Sequence, residues 1–157
     1  MTLLIFLHGT IIMHPGGIGK IREERVVQSL NQEESVWDFD SYVSIGNAVA
    51  KLTSWEQQGL EIIYLSSHES EIDVEKDKMV LEKFSFPVGQ ILYRRNEEKY
   101  KDTVERIVPD VLIEDDCESI GGADEMTITH VDPEIKKKIR SIVVKEFGGI
   151  DNLPDKL

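Results

Sequence analysis

Residues able to do chemistry gather at four points of this sequence, each directly after a short apolar run. His8-Gly9-Thr10 follows Leu3–Leu7, and Ser66-Ser67-His68 follows Glu61–Leu65. Arg94-Arg95-Asn96 follows Gln90–Tyr93, and Glu114-Asp115-Asp116 follows Val111–Ile113. The adjacent carboxylates Asp115 and Asp116 suit a hard cation such as Mg²⁺, which takes oxygen ligands and few of them from protein. In a solvated loop the same pair would only make an Asx turn. Histidine beside carboxylate is a different donor set. His8 and His68 near Asp115 can hold another divalent metal such as Zn²⁺ or Mn²⁺. His8 can also act as an acid–base group, as a nucleophile or as a structural hydrogen-bonding group. The Ser66 hydroxyl can donate to a phosphoryl oxygen or cap the next turn. Lys101 can neutralise a phosphate and a carboxylate cluster, or stand exposed with Lys99 and Arg106. Gly9, Thr10, Ser67 and His68 share these tips and are the candidate ligand-binding residues.

Two other features carry less. His14 to Lys20 has the look of a phosphate loop, but that motif needs glycine at position 14 and Ser or Thr at position 21, where His and Ile stand. Cys117 has only acids beside it; they raise a thiol pKa and work against a thiolate.

These residues need elements to position them. The apolar runs are short and continuous, as strands of a parallel sheet covered on both faces are. A fifth strand is expected at Met126–Val131. Between the runs lie helical patterns. Ile45, Ala48, Val49, Leu52 and Trp55 form one stripe, with Gly59 as its C′ residue. Ser70 and Asp73 start a second helix that carries Val80, Leu81 and Phe84. A third runs from Tyr100 to Val108 and ends at Pro109. Asp132-Pro133-Glu134 opens a fourth, whose stripe of Ile135, Ile139, Ile142, Val143 and Phe147 closes at Gly148-Gly149. Residues 14–42 break the rhythm and read as an insertion or small lid, with a helix over Ile21–Leu30. The expected architecture is therefore one α/β domain over residues 1–157. It is a doubly wound, Rossmann-like, mainly parallel sheet of about five strands with helices on both faces. In such sheets ligands bind beyond the carboxyl ends of the strands, so His8, Ser66 and Asp115 should converge on one sheet edge.

Bulk composition narrows the partners. The 157 residues carry a formal net charge of −12, which repels nucleic acid and anionic membranes. No apolar run approaches the roughly 18 residues of a membrane span. The first residues lack the basic n-region of a signal peptide, and a single cysteine fits a reducing cytoplasm. A small-molecule ligand is the expected partner, a phosphate compound among the candidates; any protein partner is unknown.

In order along the chain, the tips resemble the motifs of the haloacid dehalogenase superfamily, mostly magnesium-dependent phosphohydrolases. Phe6-Leu7-His8-Gly9-Thr10 is similar to its first motif, a strand ending in Asp-x-Asp-Gly-Thr. Ile62–Ser67 resembles the second motif, Lys101 best matches the lysine before the acidic strand, and Val111–Asp116 looks like the acidic motif. The resemblance runs from residue 3 to about residue 122. It implies a site of His8, Ser66 and Lys101 with Mg²⁺ at Asp115 and Asp116. The first motif departs from the family pattern. The nucleophilic aspartate aligns with Phe6 and the general-acid aspartate with His8, and residues 1–22 hold no acid. The resemblance thus implies a degenerate, phosphatase-like site that lacks phosphoaspartate chemistry, binds Mg²⁺ weakly at most, and serves a small ligand or a protein partner. One alternative is a metal-dependent phosphohydrolase using His8 or a metal-activated water. The other is a domain acting only through protein contacts.

Overall fold

The computed structural model describes residues 1–157. In chain order the elements are β1 (Thr2–Phe6), β2 (Ile12–Met13), α1 (Arg22–Leu30), β3 (Val43–Ser44), α2 (Ala48–Gln57), β4 (Glu61–Leu65), α3 (Glu71–Lys83), β5 (Gln90–Leu92), α4 (Tyr100–Ile107), β6 (Val111–Asp115), α5 (Thr127–His130), α6 (Pro133–Lys136) and β7 (Arg140–Val144). Five strands form one parallel sheet in the order β5-β4-β1-β6-β7. This is the doubly wound α/β arrangement expected from the alternating pattern. No helix is long and apolar enough to cross a membrane.

The central strand shows why its residues are all apolar. Successive side chains of a strand point to opposite faces. Leu3 and Ile5 pack with Leu52, Trp55, Val80 and Leu81 of α2 and α3. Leu4 packs on the other face with Val104, Ile128, Val131 and Ile139, under α4 to α6. Both faces are covered, so alternation with polar residues is impossible. Local signals behave as their chemistry requires. Ser70 caps α3 by accepting from the Asp73 N–H at 3.2 Å, and Val108 leaves α4 in the left-handed region just before Pro109.

Two expectations fail, and they fail together. The fifth strand is not Met126–Val131 but β7, which falls where the apolar stripe predicts a helix from Ile135 to Phe147. The helix that Asp132 caps stops at Lys136. Ile139, Ile142 and Val143 fit a helical stripe, but Ile142-Val143-Val144 is an unbroken β-branched run after Arg140-Ser141, and suits an edge strand better. Met126–Val131 becomes a helical turn because Glu114 holds its start. One carboxylate oxygen accepts from Thr127 N at 2.7 Å and the other from Ile128 N at 2.9 Å. A buried acid against unpaired helical N–H groups outweighs the strand propensity of Thr and Ile.

Residues 14–42 leave the domain through a two-stranded antiparallel stem, with Ile12 opposite Ser44 and Met13 opposite Val43. Beyond the stem lie short 3₁₀ turns and α1. Val26 of α1 docks with Met13, Ile45 and Phe147, and Arg25 donates to the Phe147 carbonyl at 2.8 Å. The segment thereby roofs the carboxyl end of the sheet.

Candidate functional site

Strands β4, β1 and β6 are neighbours and parallel, so their carboxyl ends bring Ser66, His8 and Asp115 to one edge. A cavity of ≈ 350 Å³ opens there, with His8, Gly9, Ser67, Tyr100 and Asp115 in its wall. The side chains around it form two groups, one on each side of β1.

The first group is built on Asp77, an α3 residue only 1% exposed. Its Oδ1 lies 2.7 Å from His8 Nε2, and its Oδ2 accepts from Ser66 Oγ at 2.5 Å. His8 Nδ1 meets Ser67 Oγ. The His68 N–H donates to Ser66 Oγ at 3.1 Å, and its Nε2 lies 3.6 Å from Asp77 Oδ1. That Nε2 is enclosed yet has no hydrogen-bond partner. Burial, then the neighbouring His8, hold His68 below the usual histidine range, against the pull of Asp77 and Asp73. Its ring is therefore neutral at pH 7. The roof closes over this group through Phe39, whose ring centre is 4.2 Å from that of His68.

The second group is acidic. Asp115 accepts from Thr10 Oγ1 and from Cys117 N, each at 2.9 Å. Glu146 accepts from Ser119 N at 2.7 Å and Ser119 Oγ at 2.6 Å. Asp116 accepts from Glu146 N at 2.9 Å and faces Lys145 at 3.3 Å and Arg22 of the roof at 3.4 Å. Burial, followed by neighbouring acids, pushes Asp115 and Glu146 up. Burial pushes Asp116 the same way, but the Glu146 N–H, Lys145 and Arg22 outweigh it and hold it below the usual range. Burial and then the surrounding carboxylates raise the Cys117 thiol, so no thiolate forms at neutral pH. Gly9 joins the groups: its φ is +77°, and a Cβ there would stand 3.0 Å from Asp115 Oδ2.

Between the groups, Phe6 meets Tyr100 edge-on at 5.1 Å, Arg94 lies 4.2 Å over the Tyr100 ring, and both rings line the cavity. Lys101 does not join them. It is 37% exposed, and its ammonium lies 4.0 Å from Asp102. Ser66 is wholly buried behind Asp77 and does not reach the cavity; Ser67 does.

Asp77, Tyr100 and Glu146 are site residues that the strand-tip pattern does not reveal. Asp77 has a legible signal: it stands four residues before Leu81 and seven before Phe84, an acid on the apolar stripe of α3. Glu146 lies just beyond a strand end, like Asp115 and Asp116, and is hidden because β7 carries a helix-like stripe.

Asp115, Asp116 and Glu146 bring one oxygen each within 4.8 Å of one another. They fit a magnesium ion poorly. Lys145 and Arg22 already pair with Asp116, and Phe6 adds no ligand.

No family model and no curated protein matches the chain. Among solved structures it is similar to a class C acid phosphatase from Bacillus anthracis with tungstate bound. Identity is 14% and the TM-score 0.59, over 94% of this chain and 68% of that one. It is also similar to a chain in the structure of the Pnkp1/Rnl/Hen1 RNA repair complex. There identity is 15% and the TM-score 0.56, over 92% of this chain and 43% of that one. Likeness at such identity shows the fold, and the shared fold agrees with the dehalogenase-like motifs.

Proposed function

We propose that this chain is a dehalogenase-like domain that binds a small molecule in its strand-end cavity and lacks the phosphoaspartate reaction. One observation carries this reading: Phe6 lines the cavity from the end of β1 and packs against Tyr100. An attacking carboxylate must stand in line with phosphorus. A phenyl ring there offers neither an oxygen nor a metal ligand. Loss of a nucleophile leaves only the residual rate from binding and electrostatics, several orders of magnitude lower.

The cavity wall favours a particular ligand chemistry. Carboxyl groups of Glu114, Asp115, Glu125 and Glu146 and the imidazoles of His8 and His14 line it, with no lysine or arginine. Phe6, Trp37, Tyr42, Tyr100 and Phe147 supply aromatic surface. Carboxylates beside aromatic faces suit an amine or another organic cation. A phosphate ester would meet repulsion unless it carried its own cation, and Asp115 with Asp116 offers Mg²⁺ only weak binding.

Steady-state turnover of an aryl phosphate with Mg²⁺ tests the reaction. The expected result is that wild type and Asp115→Asn are both indistinguishable from background. Robust wild-type turnover abolished by Asp115→Asn would overturn the reading. A thermal-shift panel of small amines and small phosphate esters tests the ligand class. Amines should raise the melting temperature; stabilisation by phosphate esters alone would reverse the assignment.

A further inference from the structure

We infer that His8, His68 and Asp77 form a transition-metal site of the Zn²⁺ class, separate from the acidic cluster and independent of the organic ligand in the cavity. The three donor atoms, two imidazole nitrogens and one carboxylate oxygen, lie within 4.8 Å of one another. Zinc binds such atoms at about 2.1 Å, so tetrahedral ligands stand roughly 3.4 Å apart. The observed separations from Asp77 Oδ1 bracket that value: 2.7 Å to His8 Nε2 and 3.6 Å to His68 Nε2.

His68 Nε2 supplies the second argument. It is enclosed, aimed toward Asp77, and unpartnered. A buried polar atom left without a partner is destabilising, and a metal ion satisfies it.

The surrounding hydrogen bonds have the pattern that supports a metal. A ligating histidine normally fixes its other ring nitrogen on a neighbour, and ligating carboxylates are themselves hydrogen-bonded. Ser67 Oγ meets His8 Nδ1, and Ser66 Oγ occupies Asp77 Oδ2. Both contacts leave Nε2 and Oδ1 facing inward, where they share a hydrogen bond at 2.7 Å whose proton the ion would displace. With metal bound, the His8 ring carries its proton on Nδ1 and donates it to Ser67 Oγ. Two nitrogens and one oxygen suit Zn²⁺, Mn²⁺ or Fe²⁺; Mg²⁺ prefers oxygen alone. Three protein ligands leave a fourth position, and His8 and Ser67 both face the cavity.

The test is calorimetric titration of the metal-free protein with Zn²⁺ at neutral pH, with Co²⁺ as a spectroscopic probe. One ion per chain should bind, and Co²⁺ should give the strong visible d–d bands of low coordination. His68→Ala, checked for folding by circular dichroism, should weaken Zn²⁺ by about tenfold or more and abolish the Co²⁺ spectrum. Asp77→Asn should do the same, and the exposed His130→Ala should change neither. Absence of micromolar Zn²⁺ binding in wild type would sink the proposal. So would binding that survives His68→Ala, or a Co²⁺ spectrum that depends on Asp115 instead.

Discussion

The two side-chain groups beside β1 look alike on paper and differ in the state of their lone pairs. Each joins strand-tip residues to one from a later segment: His8 and His68 from two tips with Asp77 from α3 on one side, Asp115 and Asp116 from a single tip with Glu146 from beyond β7 on the other. In the acidic group Thr10, Cys117 and Ser119 donate to Asp115 and Glu146, while Arg22 and Lys145 attend Asp116. In the histidine group His8 Nε2 and Asp77 Oδ1 pair with each other, and the His68 ring nitrogen stands enclosed without a partner. The number of carboxylates therefore says little about metal affinity; the number of free donor atoms says more.

The sharpest way to break this comparison is to remove each centre. Asp77→Ala strands the inward nitrogen of His8 and the Ser66 hydroxyl inside the protein. It should cost about 3 kcal/mol or more in urea unfolding, since each bond to a charged group contributes roughly 1.5–3 kcal/mol. A loss below about 1 kcal/mol would show that Asp77 is no keystone. Gly9→Ala comes next, because it presses on one group and spares the other. Positive φ and the approach to Asp115 together should cost about 1–3 kcal/mol, with any Zn²⁺ binding unchanged. Equal damage to both groups would mean that they are not separable.

A pH experiment sharpens the contrast further. Glu146 has a folded-state pKa raised above its unfolded value of 4.5. The folded protein thus holds that proton more tightly, and stability from this group is full below 4.5 and is lost as pH rises through the folded value. Asp116 acts in reverse: its lowered pKa adds stability above 3.8 that is lost as pH falls through the folded value. Glu146→Gln should therefore make the loss of stability as pH rises above 4.5 shallower. An unchanged slope would locate the pH dependence elsewhere. The smallest expected effect is on magnesium. Arg22→Ala relieves Asp116 of a partly exposed cation worth about 1 kcal/mol or less. Calorimetry should show Mg²⁺ binding tightened by roughly fivefold at most.

How far the sequence can be read depends on where the deciding partner lies. Strands β1, β4 and β6 are legible because burial on both faces forces unbroken apolar runs. Strand β7 is not: Ile139, Ile142 and Val143 satisfy the helical period of 3.6 and break the period of 2, and at the sheet edge Arg140, Ser141 and Val143 stay exposed. The turn Thr127–His130 is illegible for another reason, since a carboxylate thirteen residues upstream sets it. In the site, strand tips can be read and helix phase cannot. Adjacent positions on a helix differ by about 100°, so Tyr100 faces the cavity while Lys101 points to solvent beside Asp102.

The placement of the two tryptophans gives the molecule separate optical reporters. Trp55 is fully enclosed in the core, whereas Trp37 is 58% exposed and lines the cavity from the roof. Acrylamide, being neutral, reaches Trp37 without opposition from the net charge of −12 and leaves Trp55 unquenched. A Trp37→Phe variant isolates the core signal, and subtracting it from wild-type emission isolates the roof. Ligand entry can then be followed as a blue shift and loss of quenching in the roof signal alone. Global unfolding moves both, so occupancy and stability can be read from one cuvette at two depths.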